Sequence, residues 1–415
     1  MKKSKISSIG KFLIKVFLIA FILRVLYIST TDNSVNVWKD WWEEIAKNIL
    51  IGKGLVVKNP IGNDGQTFFY CWRTPVFPII IAIIYAITGI NNYFAVKIFL
   101  AFIGSVSCIF IYFIGKRIFD ENTGKIASIF TAISPSFIFF SGYVAPIILT
   151  LFLGLIPFFF ITRDIKRKSL FNYITGGIFL GIGVLYREIL IIILLILPVW
   201  MFFYYRNKKE IIFRIFLFFA GFILTLSPWV IRNYRIYHKW ILTSTNGIWT
   251  FYAANNEAAL SDIRGYSYSY DVKELKGLNE IELRDTFLSW GINFIKKNPK
   301  KYFTLVRKRF FDFWRLYPHT ISGPGKPYSY KHIILGIMYT LPIYFFGIVG
   351  FFYSLYRKQW KKPLLIYLFI FLYSLLHILF RSAIRFRIPV EPYLIIIASY
   401  GFVEFFKKHK KCKNG

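Results

Sequence analysis

The residue types best suited to chemistry gather in Trp38-Lys39-Asp40-Trp41-Trp42-Glu43-Glu44-Ile45-Ala46, a carboxylate-rich and tryptophan-rich stretch shortly after the first long apolar run. Tryptophan suits the membrane–water boundary, where one end of the ring is apolar and the other wet. A carboxylate set against such a wall is where a general base of raised pKa can be made. Helical spacing over Lys39 to Leu50 puts Asp40 on a face adjacent to Glu43 and Glu44, so two carboxylates could share a site. The same acids also fit a solvated helix start with Asp40 as an N-terminal helix charge. The local sequence leaves both readings open.

Arginine placement is a second signal. The short turns between apolar runs that carry Arg187, Arg381, Arg385 and Arg387 hold no lysine, and Arg73 and Arg232 stand at equivalent ends, whereas lysine dominates the remaining connections. The planar, always-charged guanidinium fork matches phosphate and partly buried anions. Any single one could snorkel to headgroups or pair with Glu188 or Glu391. For the set, an anionic ligand is the better reason. No nucleophile beside a base, no glycine-rich phosphate loop and no His/Cys metal cluster accompanies them, so a nucleotide-sugar site of the soluble kind is unsupported. Cys71, Cys108 and Cys412 have no metal-ligand spacing. A divalent cation is possible but lacks a ligand cluster, and the cofactor requirement is unknown.

The elements that must position these residues are membrane spans. With 56% apolar and 21% aromatic residues over 415 positions, and a mean hydropathy of +0.51, the chain reads as an all-α polytopic membrane protein. Runs of roughly twenty residues predict about ten spans: Gly10–Ser29, Phe94–Gly115, Lys125–Gly142, Ala145–Thr162, Leu170–Tyr186, Ile189–Tyr205, Ile211–Val230, Lys331–Tyr356, Pro363–Phe380 and Ile388–Phe406. The first is read as a retained span, since no small-residue cleavage site follows it. Val76–Gly89 is short for a span. If it lies at the surface without crossing, every short basic connection falls on the side of the N-terminus, as the positive-inside rule requires. Both termini are then cytoplasmic, and the acidic stretch and the arginines face outside. The formal charge of +33 belongs to those basic connections, which makes nucleic acid a poor partner.

Three regions follow: 1–230, an N-terminal transmembrane catalytic module with its first external loop at 30–92; 231–330, an external loop region; and 331–415, C-terminal spans and a basic tail. Within the second region, Glu280 to Tyr317 predicts two amphipathic helices divided at Pro299, resting on the outer leaflet or contributing to an acceptor groove.

Several fragments, in order, resemble the C-type membrane glycosyltransferases, in particular the family 39 group of protein O-mannosyltransferases and lipid A aminoarabinose transferases. Asp40 followed by Glu44-Ile45-Ala46-Lys47-Asn48-Ile49-Leu50 and Gly52-Lys53-Gly54 looks like the first outer loop of that family. Arg73-Thr74-Pro75-Val76-Phe77-Pro78 is similar to its Arg-Pro-Pro-Leu-Tyr-Pro run, and Pro228-Trp229 through Arg232-Asn233-Tyr234 to its Pro-Trp-x-x-Arg-Asn-Tyr. Asn246-Gly247 and Asn255-Asn256 look like the loop after it, and Arg385-Phe386-Arg387-Ile388-Pro389 with Pro392 resembles the C-terminal signature. Two positions depart: Glu188 follows Arg187 where relatives carry proline, and Pro146 stands where they commonly carry an acid.

The resemblance implies transfer of a sugar from a polyprenyl-phosphate donor to a lipid, glycan or protein acceptor at the outer membrane face. It makes Asp40 the catalytic base. Arg73, Arg187, Arg232, Arg385 and Arg387 become contacts to the lipid phosphate or the site scaffold, with Glu43, Glu44 or Glu188 left to replace the missing acid. One base and a stabilised leaving group suit inversion. A lipid-linked saccharide flippase would be expected to show repeated halves and polar groups near the midplane, which are missing here. A glycan polymerase or ligase shares the chemistry.

Overall fold

The computed structural model describes residues 2–31, 41–61, 67–165, 169–262, 265–268, 270–317 and 329–413. It is helical nearly throughout. In chain order the helices are α1 (Lys2–Ser29), α2 (Trp42–Leu50), α3 (Val76–Thr88), α4 (Tyr93–Ile118), α5 (Glu121–Ala132), α6 (Pro135–Ser141), α7 (Ile147–Asp164), α8 (Phe171–Val184), α9 (Ile193–Tyr204), α10 (Lys208–Tyr237), α11 (Asn246–Ala254), α12 (Ala258–Ser261), α13 (Glu280–Lys297), α14 (Pro299–Trp314), α15 (Tyr330–Tyr356), α16 (Leu364–Phe380), α17 (Ile384–Arg387) and α18 (Glu391–Lys413). Strands β1 (Val57–Lys58) and β2 (Phe68–Phe69) pair antiparallel between α2 and α3.

Five helices among the described residues are long and apolar enough to cross a membrane: Ser8–Ser29 within α1, then α4, α7, α10 and α15. The pair α5 and α6 makes a sixth if its 48° bend is taken as one span, and α8, α16 and Glu188–Tyr204 are shorter apolar helices. Pro135 opens α6, since a proline cannot donate the hydrogen bond that would continue α5. Arg24 of α1, fully buried, serves the break: its guanidinium donates to the Ala132 carbonyl at 3.2 Å and to that of Ala20 at 2.8 Å. Carbonyls freed by a helix end have no water to turn to inside an apolar bundle.

Glycines let neighbouring helices approach closely at two crossings. A Cβ on Gly177 of α8 would stand 2.0 Å from the Phe218 carbonyl of α10, and one on Gly401 of α18 would stand 2.1 Å from the Phe346 carbonyl of α15.

The bundle has two unlike ends. At one, the short basic connections meet: Lys116 pairs with Glu121, Lys407 with Asp120, Arg357 with Glu404, and the Trp200 indole donates to the Lys361 carbonyl. At the other lie α2, α3 and the segment from α11 to α14. α3 starts there, with Val76 N donating to the Leu185 carbonyl, and finishes there, with Tyr85 against Tyr93 at the start of α4. It therefore does not traverse the bundle, as its length led one to expect. Proline 299 does divide the amphipathic stretch into α13 and α14. The two loops share one aromatic core, in which Ile45, Val57, Phe69 and Trp72 pack with Trp249, Tyr252 and Phe287.

Candidate functional site

The site is built on the segment Tyr70-Cys71-Trp72-Arg73-Thr74, which has no regular secondary structure and is held from three directions. The Tyr70 and Cys71 amides donate to the Glu280 carboxylate, at 2.7 Å and 3.1 Å for Oε2. The Cys71 carbonyl accepts from the Thr245 amide at 2.9 Å, and the Thr74 hydroxyl donates to the Tyr186 carbonyl at 3.0 Å. Glu280 also accepts from the Tyr237 and Thr245 hydroxyls. Burial pushes its carboxyl above the usual range, opposed by those donated hydrogen bonds.

Arg73, so positioned, lays its guanidinium 4.5 Å over the Trp42 ring and 5.4 Å over that of Trp41, and donates to Asn246 Oδ1 at 2.7 Å. Its surroundings are rich in donors. Among the described residues, the Trp42 and Trp72 indole nitrogens and Asn246 Nδ2 are buried without an acceptor, a condition that favours an acceptor-rich ligand.

Arg187 lies next to this segment, one residue beyond the Tyr186 carbonyl that holds Thr74. It is half-buried, and among the described residues its side chain makes no hydrogen bond or ion pair. It stands within electrostatic reach of Tyr186, Tyr373 and His377. Among the described residues the Tyr186 hydroxyl and His377 Nε2 are buried without hydrogen-bond partners, and the His377 ring stacks on Phe386 at 4.7 Å. Glu188 accepts from the Ser244 hydroxyl, two residues before Asn246.

The remaining arginines separate by role. Arg232 donates to the Tyr70 and Leu55 carbonyls at 3.0 and 3.1 Å, bracing the first loop against α10. Arg387 is fully buried and committed to Glu391 at 3.1 Å, to Tyr344 Oη at 2.7 Å and to the Phe313 and Arg315 carbonyls. Both guanidiniums are engaged by acceptors of the protein itself. Arg385 lies 5.1 Å over Phe386, and Arg381 covers the Tyr266 ring at 3.3 Å.

Asp40 and Trp38 lie outside the described residues. The helical register that placed Asp40 beside Glu43 and Glu44 does not extend to it, because α2 starts at Trp42 and Trp41 adopts the left-handed conformation, φ 54°. Glu43 accepts from the Tyr93 hydroxyl at 2.8 Å and pairs with Lys47 at 2.7 Å, while Glu44 accepts from the Lys58 amide at 3.0 Å. Among the described residues, no group of three His, Cys, Asp or Glu side chains is arranged to hold a metal ion.

At this end of the bundle, sequence reasoning passed over the buried charges Glu280 and Arg309. Glu280 follows Asn279 in a capping box, which marks a helix start but not a buried acid. Arg309 is 1% exposed and donates to Asn255 Oδ1 and the Leu379 carbonyl. Desolvation lowers its pKa to about 10. Its signal was present: Leu305, Arg309 and Phe313 recur every four residues, so Arg309 falls on the buried stripe of α14.

Residues 72–231 match the family model described as dolichyl-phosphate-mannose-protein mannosyltransferase. No curated protein sequence matches the chain. Among solved structures, the archaeal oligosaccharyltransferase AglB from Archaeoglobus fulgidus, in complex with an inhibitory peptide and a dolichol-phosphate, is similar with a TM-score of 0.59 at 15% identity, over 97% of this chain and 51% of that one. The same organism's oligosaccharyltransferase in complex with zinc and sulfate gives 0.57 at 18% identity, over 96% and 49%. ArnT from Cupriavidus metallidurans bound to undecaprenyl phosphate gives 0.47 at 11% identity, over 95% and 60%. The chain spans about half the length of the oligosaccharyltransferase it matches. It therefore has the fold of a polytopic C-type membrane glycosyltransferase, with the sequence pattern of the dolichyl-phosphate-mannose-protein mannosyltransferase family across residues 72–231.

Proposed function

We propose that this protein transfers a sugar from a polyprenyl-phosphate donor to an acceptor at the external face of the membrane, with inversion, Asp40 acting as base. The observation that carries this reading is the half-buried Arg187, without a hydrogen-bonding or ion-pairing partner among the described residues, beside the braced Arg73 segment inside the family-matched region. Charge grows on the phosphate as the glycosidic bond breaks. A preorganised guanidinium at an apolar boundary stabilises that charge better than water does. Arg73, with the acceptor-poor donors around it, offers a second contact to the same anion. The lipid tail lies between helices and contributes binding energy without taking part in bond making. Asp40 deprotonates the acceptor hydroxyl or amine as it attacks the anomeric carbon, and polyprenyl phosphate leaves.

Asp40→Asn is expected to abolish transfer of radiolabelled sugar from a polyprenyl-phosphate donor while membrane insertion is retained; near-normal turnover would remove Asp40 from the mechanism. Arg187→Lys keeps the charge and loses the fork, so donor turnover should fall at least about tenfold, or about 1.4 kcal/mol. Unchanged kinetics would leave Arg187 a headgroup contact only.

A second reading, transfer of a whole glycan, draws on the likeness in fold to an oligosaccharyltransferase. Product mass separates the two: a single added sugar supports the first, a complete oligosaccharide the second.

A further inference from the structure

We infer that His377 accepts a hydrogen bond from a hydroxyl of the donor sugar and so helps to select that sugar. This rests on the proposed reading of Arg187 as a contact to the donor phosphate. His377 Nδ1 lies 3.1 Å from the Arg381 carbonyl oxygen. A carbonyl can only accept, so Nδ1 carries the proton, and in the neutral ring Nε2 holds a lone pair and no hydrogen. That nitrogen is buried and, among the described residues, has no donor. The ring is not free to turn and find one: it stacks on Phe386 at 4.7 Å and 13°, packs against Tyr373 at 4.8 Å and has Phe313 at 6.2 Å.

A buried acceptor without a donor costs free energy until something supplies one. The neighbouring groups narrow what that is. Arg187 stands within electrostatic reach of His377, of Tyr373 on the same helix and of Tyr186. Tyr186 is 1% exposed, and its hydroxyl also lacks a partner among the described residues. The guanidinium and the phenol can donate to a phosphate, whereas the ionised phosphodiester of a polyprenyl-phosphate sugar has no hydrogen for Nε2. The apolar polyprenyl chain has none to give either. A sugar hydroxyl does, and the sugar is joined to the phosphate through a single oxygen, so an anion held by Arg187 brings the sugar ring close to His377. In an inverting displacement the acceptor approaches the anomeric carbon opposite the departing phosphate, which leaves the groups around Arg187 to the donor.

The test is equilibrium binding of two probes, undecaprenyl phosphate and undecaprenyl-phosphate mannose, to the purified full-length protein in detergent, with thermal unfolding of the same samples. Mannose is the sugar in the description of the family model matched over residues 72–231. His377→Asn keeps a donor for the Arg381 carbonyl and has no atom at the Nε2 position. It should bind the mannoside about tenfold more weakly, bind the bare phosphate within about twofold of the wild type, and unfold near the wild-type temperature. His377→Gln, whose longer amide reaches that position, should recover mannoside binding to within about threefold. Should the Asn variant not fold, His377→Phe, which keeps the ring stack, carries the measurement. Unchanged mannoside binding in the folded Asn or Phe variant, or equal losses for both probes, overturns the inference. The two claims separate in the wild type: binding of neither probe sinks the donor reading itself, whereas binding of both beside an indifferent Asn variant sinks the role of His377 alone.

Discussion

Glu280 is the residue on which most of the site's geometry depends. It takes the amides of Tyr70 and Cys71 and the hydroxyls of Tyr237 and Thr245, and it does so 2% exposed. Its folded pKa is raised by burial, so the sign of the pH dependence follows. The protonated acid is favoured by folding, and its contribution to stability is full below the ordinary glutamate pKa of about 4.3 and lost as pH rises through the raised value. Thermal unfolding of the wild type should show that decline, and Glu280→Gln should not. Below that range, where the wild-type contribution is full, the substitution should also cost about 1–3 kcal/mol, because an amide cannot accept from all four donors. None of this was legible in the sequence, where Glu280 is one of several acids near a helix start. The arginines were legible as a set, since their placement opposed the lysine bias, but not by role. Hydrogen bonds engage Arg232 with carbonyls and Arg387 with carbonyls and Glu391, and among the described residues leave the Arg187 side chain without one.

At the scale of elements, length and hydropathy are summed along the chain and do not depend on partners. Among the described residues five of the ten predicted spans are helices long and apolar enough to cross, a sixth is the bent pair α5 and α6, and Leu170–Tyr186, Ile189–Tyr205 and Pro363–Phe380 are shorter apolar helices. Proline marks both breaks, but only the one at Pro299 was read from the sequence. Pro299 separates α13 from α14 as expected, and Pro135 bends the predicted Lys125–Gly142 span into α5 and α6. What replaced the lost helical hydrogen bonds needed a third dimension, because Arg24 is more than a hundred residues from Ala132. The close crossing of α8 and α10 gives a direct test. Gly177→Val inserts its Cβ at the Phe218 carbonyl and should lower stability by about 1–3 kcal/mol in detergent melts, whereas Gly10→Val, which meets nothing within 4 Å, should be close to neutral.

At the scale of the molecule, the two ends of the bundle differ in the way the charge distribution predicts. Basic connections pair at one end, and the braced loops with Arg73 and Arg187 gather at the other. Single cysteines introduced at Lys273 and at Lys361 measure which end faces out. An impermeant thiol reagent added to intact cells should label the first and not the second, and the reverse pattern would invert the proposed topology. The segment matching the family model ends at residue 231, yet Glu280 bonds to an amide 210 positions before it. Arg73 donates a hydrogen bond to Asn246, also beyond that boundary. The order of synthesis therefore matters: when the ribosome finishes α10, the fourth of the five long apolar helices, the family segment is complete but Arg73 lacks its Asn246 acceptor. The site closes late, when α13 arrives and stitches a loop made some two hundred residues earlier, so chains truncated before it would insert into the membrane and stay inert.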